Sequence, residues 1–184
     1  VVAGTNHKFW WKCDVAGDHE WPAIVASRTR GSGCPCCAGQ QVSVTNSLAT
    51  LFPEIAAQWH PEMNGDVTPA ELVAGSNKKC WWKCDVADDH EWPATASNRT
   101  LGTGCPFCDG KRVSVTNSLT TLFPEVAAQW HPQLNGDVTP ADVVAGSHKK
   151  YWWKCDVAED HQWLAVLVSR TGGGHGCPCC AGQQ

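Results

Sequence analysis

The chain has 184 residues, with twelve Cys, eleven Trp against a single Tyr, and a formal charge of −4. No run approaches the roughly 18 consecutive apolar residues of a membrane-spanning helix. The negative balance disfavours a polyanion as main partner, although a local basic patch could survive it.

Internal repetition organises everything else. Cys13, Cys84 and Cys155 are spaced 71 residues apart, and residues 42–72 match 113–143 at 25 of 31 positions. The sequence divides into zinc module 1 (1–41), helical linker 1 (42–72), zinc module 2 (73–112), helical linker 2 (113–143) and zinc module 3 (144–184). Val1 falls inside a repeat and no Met or signal pattern precedes it, which points to a processed or partial chain.

Within module 1, Trp10-Trp11-Lys12-Cys13 leads into a polar loop, His19-Glu20-Trp21, an apolar run, Arg28-Thr29 and the turn Cys34-Pro35-Cys36-Cys37. Linker 1 predicts helix: Asn46 or Ser47 caps a first turn, Pro53 opens a second helix, and Ile55, Ala56 and Trp59 share a face. Asn64-Gly65 marks a turn, and Thr68-Pro69-Ala70-Glu71 opens another short helix. Each linker is expected to lie against a neighbouring zinc module. In module 2 the aromatic stretch from Cys80 to Cys84 predicts a strand, with Trp92–Ser97 as its partner; Trp163–Val168 plays that part in module 3. Pro22 and Pro93 belong at a strand start or on an edge. The expected fold class is small α+β zinc-stabilised modules: zinc-ribbon or treble-clef-like β-hairpins joined by short helical linkers.

The strongest signal is ligand spacing. Module 1 has Cys13, His19, Cys34 and Cys37; module 2 repeats the interval as Cys84, His90, Cys105 and Cys108; module 3 gives Cys155, His161, Cys177 and Cys180 with one residue inserted before the last pair. Three soft thiolates and an imidazole form a closed tetrahedral shell suited to structural Zn²⁺, so three structural zinc ions are expected and a hydrolytic role for the metal is disfavoured. Nine thiolates against six metal charges would make the chain more acidic still. Cys105-Pro106-Phe107-Cys108 lacks the middle Cys of Cys-Pro-Cys-Cys, which makes Cys36 and Cys179 spectators; Cys80 stands where Phe9 and Tyr151 stand and reads as an apolar filler. A module of this size buries too little apolar surface to fold securely without a staple.

At Trp-Trp-Lys-Cys, His-(Glu/Gln)-Trp, Arg-Thr and Gly-Cys-Pro-x-Cys the chain resembles a family of zinc-ribbon or treble-clef domains of unknown function. The Ser-Leu-x-x-Leu-Phe-Pro-Glu and Asn-Gly-Asp-Val-Thr-Pro segments between modules are similar too, so the likeness spans nearly the whole chain. It implies zinc held by Cys-His-Cys-Cys in tandem arrays. Some relatives accompany nuclease-like domains, which implies nucleic-acid work for those relatives; no such domain occurs in this sequence.

Other readings explain less. A secreted disulfide scaffold gives the recurring His no role. A glutaredoxin-type reading of Cys-Pro-Phe-Cys lacks the βαβ scaffold that lowers a thiol pKa. The sequon Asn98-Arg99-Thr100 recurs in neither other copy, where Ser27 and Ser169 stand. The pairs Trp10-Trp11, Trp81-Trp82 and Trp152-Trp153 place one ring on each strand face, for packing or for partner contact. Arg28, Arg99 and Arg170 could bind phosphate, but tying down a nearby carbonyl or carboxylate is favoured. Lys78-Lys79 and Lys149-Lys150 read as a solvated rim, and His60 and His131 as caps of a helix end. No catalytic constellation is evident and no enzyme is expected.

These features predict a structural tandem array that serves as an interaction or scaffold subunit within a larger assembly, with a protein partner and no small-molecule substrate. The alternative is a nucleic-acid-binding array. Thiol ligands imply a reducing, intracellular compartment.

Overall fold

The structure, a computed structural model, describes residues 2–183. Each module begins with a five-residue antiparallel hairpin whose second strand runs directly into one turn of helix. These are β1 (Lys8–Lys12), β2 (Glu20–Ile24) and α1 (Val25–Thr29) in module 1. Linker 1 carries α2 (Leu48–Leu51), α3 (Pro53–Ala56) and a 3-10 turn at Pro69–Glu71. Module 2 follows with β3 (Lys79–Lys83), β4 (Glu91–Thr95) and α4 (Ala96–Thr100). Linker 2 repeats the helical set as α5 (Leu119–Leu122), α6 (Pro124–Ala127) and the turn Pro140–Asp142. Module 3 has β5 (Lys150–Lys154), β6 (Gln162–Val166) and α7 (Leu167–Thr171).

The three hairpins share one register, in which Trp11 faces Trp21, Trp82 faces Trp92 and Trp153 faces Trp163. Pro22 and Pro93 lie inside the second strand, opposite the first Trp of each pair. The partner strand is shorter than the apolar run predicts, because the chain turns helical at Ala96 and at Leu167. Burial explains the switch: Ala96 and Leu167 are fully enclosed and anchor the helix onto the hairpin, and the Thr95 hydroxyl caps α4 by accepting from Asn98 N–H.

The linkers follow the predicted caps. Ser47, not Asn46, is the N-cap of α2 and accepts from Thr50 N–H, while Pro53 opens α3. Thr68 and Glu71 form a capping box around the 3-10 turn, repeated by Thr139 and Asp142. The hydrogen bonds of that box hold the Glu71 and Asp142 carboxyls below their ordinary range.

Two compact units result. One comprises the chain up to Cys84 together with Glu91–Thr103, the other Asp85–His90 together with the chain from Gly104 onward. In the first, linker 1 lies on the hairpin that follows it, and Leu48, Leu72, Trp82 and Trp92 are buried. In the second, linker 2 lies on β5–β6, and Leu119, Val143, Trp153, Trp163, Leu167 and Cys177 make one core. Among the described residues no helix is long and apolar enough to cross a membrane.

Candidate metal centres

The hairpin loop and the Cys-Pro-x-Cys turn deliver the ligands. In module 1 the loop between β1 and β2 presents Cys13 and His19, and Cys13 N–H donates to His19 C=O at 3.0 Å, which closes the loop. After α1 the chain returns through the knuckle, where Ala38 N–H donates to Cys34 C=O at 3.0 Å and Gln40 N–H to Pro35 C=O at 2.8 Å. Gly39 follows with φ +68°, a left-handed conformation that suits a residue without Cβ.

These elements gather the quartets Cys13, His19, Cys34, Cys37; Cys84, His90, Cys105, Cys108; and Cys155, His161, Cys177, Cys180, each with its donor atoms within 4.8 Å of one another. The separations suit one ion. Around a tetrahedral Zn²⁺, bonds of about 2.3 Å to sulfur and about 2.0 Å to nitrogen leave sulfurs about 3.8 Å apart and sulfur about 3.5 Å from nitrogen. Cys13 and Cys37 sulfurs are 3.7 Å apart, as are Cys155 and Cys180. The His19 Nδ1 lies 3.6 and 3.5 Å from the Cys34 and Cys37 sulfurs, and His90 and His161 repeat those distances to their own pairs.

Charge makes the same demand. Desolvation and the neighbouring Cys13 and Cys34 thiols push Cys37 up to about 11. Hydrogen bonding to Cys155, with desolvation, pushes Cys180 up to about 12. Burial works against ionising Cys34, yet hydrogen bonds from the Cys37 and Cys36 backbone and from the Cys37 and Cys13 side chains together outweigh it and hold that thiol below its ordinary value. One thiolate is therefore favoured in the knuckle while its partner Cys37 resists ionisation, and a divalent cation removes that repulsion. The donor set fits Zn²⁺.

A second layer fixes the imidazole. With Nδ1 toward the sulfurs, Nε2–H of His19 donates to the hydroxyls of Ser43 and Thr45, each at 2.9 Å. His90 meets Ser114 and Thr116 at 2.8 and 3.0 Å. Asp18 accepts from Val44 N–H at 2.8 Å, and Asn46 donates to Cys36 C=O at 2.8 Å, so the start of the linker is tied to the metal loop and the knuckle. Sequence reasoning missed this layer, because linkers this alike offer no contrast between contact residues and passengers.

The spectator cysteines lie outside every quartet and serve packing. Phe107 stacks on His90 at 5.0 Å, and Cys36, in the equivalent slot, is buried, as is Cys80. Burial pushes both thiols up. His60 and His131 close a turn and not, as expected, a helix end: the His60 Nδ1 accepts from Glu62 and Met63 N–H, and His131 repeats this with Gln133 and Leu134.

The expected partner surface narrows. Trp82 and Trp153 are fully buried, whereas Trp10 is 75% exposed and Trp81 and Trp152 are half-buried. Arg99 and Arg170 are buried, their guanidiniums donating to Thr103 and His175 carbonyls and to the side chains of Gln58 and Gln129. Arg28 donates to Ser32 C=O. All three stack over the hairpin Trp pair at 5.0–5.3 Å.

A family model described as a probable treble clef zinc finger domain matches residues 1–40, 55–111 and 126–183. No curated protein matches the chain.

Proposed function

The chain belongs to this probable treble clef zinc finger family, and from that premise we propose that it is a non-catalytic scaffold whose structural zinc ions stiffen a tandem array that binds protein partners. The arginines carry the reading. In each module the guanidinium that could clamp a phosphate is spent inward, on a backbone carbonyl and on stacked Trp rings. The acidic balance works in the same direction. A Cys3His set fills all four tetrahedral positions when zinc is bound, which supports a structural role and leaves no coordination position for substrate. Ligation through thiols supports a reducing, intracellular compartment.

A second reading has one observation behind it. Lys8, Trp10 and Lys12 alternate along one exposed strand face, a pattern on which single-stranded nucleic acid can stack. Metal analysis of the native chain, with identification of what co-purifies, separates the two. Three zinc ions with protein companions are expected. Bound nucleic acid whose affinity falls steeply with salt would replace the scaffold reading with the second.

A further inference from the structure

Each linker is itself a peptide held on the open edge of the hairpin that follows it. Lys83 N–H donates to Gln58 C=O at 2.8 Å, and His60 N–H donates to Trp81 C=O at 3.1 Å. Asn64 brackets Trp81, its Oδ1 accepting from Trp81 N–H at 2.8 Å and its Nδ2 donating to Trp81 C=O at 3.0 Å. Trp59 meets Trp82 edge-on with centroids 5.4 Å apart, and Arg99 reaches Gln58. Gln129, Trp130, His131 and Asn135 repeat every one of these contacts on β5. This is strand-edge addition with side-chain anchors.

Hairpin β1–β2 holds the same acceptor. Trp10, Trp11, Lys12 and Arg28 stand where Trp81, Trp82, Lys83 and Arg99 stand, in the same register. The Arg28 guanidinium lies 5.0 and 5.3 Å from the Trp11 and Trp21 rings, as Arg99 lies 5.2 Å from both of its own. Yet among the described residues nothing outside this hairpin bonds to the backbone of Trp10 or Lys12. The two linkers 42–72 and 113–143 are engaged, one on β3 and one on β5.

We propose that the outer edge of β1 is a docking site for a linker-type segment, Ala-Gln-Trp-His-Pro-x-x-Asn-Gly, supplied by a further repeat of this kind. Charge agrees: residues 53–68 carry Glu54, Glu62 and Asp66 with no Lys or Arg, while β1 carries Lys8 and Lys12. The site rests on the protein-binding reading and specifies what is bound.

The test is a fluorescent peptide of residues 53–68 titrated into the zinc-loaded full chain, followed by anisotropy and by backbone amide shifts. Saturable one-to-one binding is expected, with shifts at Trp10, Trp11 and Lys12, and with peptides carrying Trp59→Ala or Asn64→Ala about tenfold weaker or worse. No saturation, equal binding of the variant peptides, or shifts confined to β3 or β5 would overturn the site. A dimer seated on β1 through any other surface would overturn it as well. If the peptide fails and the chain also ignores nucleic acid, the docking site falls alone. Salt-sensitive nucleic-acid binding overturns the reading beneath it.

Discussion

Hairpins β1–β2 and β3–β4 have nearly the same sequence and the same register, yet their tryptophans live in different surroundings. Trp82 is completely enclosed and Trp81 half-buried; Trp11 is half-buried and Trp10 stands in solvent. The hairpin residues do not cause the difference. Trp59, Gln58 and Asn64 of linker 1 lie on β3, and no described residue does the same for β1. Burial of the first-strand tryptophans is thus set by the preceding linker, whereas Trp21, Trp92 and Trp163 are buried in every hairpin, and the packing unit is a linker plus the hairpin after it. Stability in such an array is a sum of small units and the interfaces between neighbours.

Metal removal is the largest perturbation and the one that should erase the contrast. Structural zinc contributes roughly 10–16 kcal/mol in comparable small domains. A strong chelator is expected to abolish the near-UV tryptophan signal of covered and open hairpins together; a signal that survives demetallation would mean that linker packing alone holds the fold. Next in size is Trp82→Ala, which removes a fully enclosed ring and should cost about 3–5 kcal/mol. Trp11→Ala should cost less than half as much, since its ring already meets water. Amide exchange resolved by hairpin measures both, and equal costs would break the comparison.

The metal sites offer a second contrast with a smaller expected effect. His19 and His90 each rest on two hydroxyls of the linker that follows, a pair that can be removed at one site while the other keeps it. Outer-layer partners of this kind are worth about 10–100-fold in metal affinity. During a competitive chelator titration, Ser43→Ala with Thr45→Ala should make the first site empty ahead of the second, which keeps both of its hydroxyls. Protons compete for the same thiols. Because Cys37 and Cys180 are pushed up to about 11 and about 12 without metal, affinity at the first and third sites should fall as pH falls. An affinity that holds constant between about pH 8 and about pH 6 would exclude thiolate ligation.

Much of this could be read from residue spacing. Cys13, His19, Cys34 and Cys37 form local pairs whose intervals fix the chemistry before any fold is known, and Ser47, Pro53 and Thr68 act through their nearest neighbours. Three features escaped. The apolar run from Trp92 gives no sign that helix begins at Ala96, because alternation and a short buried helix look alike over so few residues. Ser43 and Thr45 reach His19 across more than twenty residues, beyond any local pattern. Gln58 and Asn64 act on backbone groups of β3, and a backbone acceptor leaves no trace in the sequence.

The finest distinction separates the two covered hairpins. Glu91 on β4 lies 3.2 Å from His60 Nε2 and 3.3 Å from Lys83 Nζ, whereas β6 carries Gln162, whose amide donates to Glu159 C=O instead. Hydrogen bonding from His60, then from Lys83, holds the Glu91 carboxyl below its ordinary value of 4.5. A depressed carboxyl contributes stability that is fully present above its unfolded pKa and is lost as pH falls through the folded one. Docking of linker 1 on β3 should therefore weaken on the acid side more than docking of linker 2 on β5. Glu91→Gln should remove that excess and make the two profiles parallel. Protection of the Trp81 and Trp152 amides reports each interface, and zinc release on acidification, common to variant and parent, cancels in the difference. If the two interfaces respond to acid alike before the substitution, His60 and Glu91 contribute only shape.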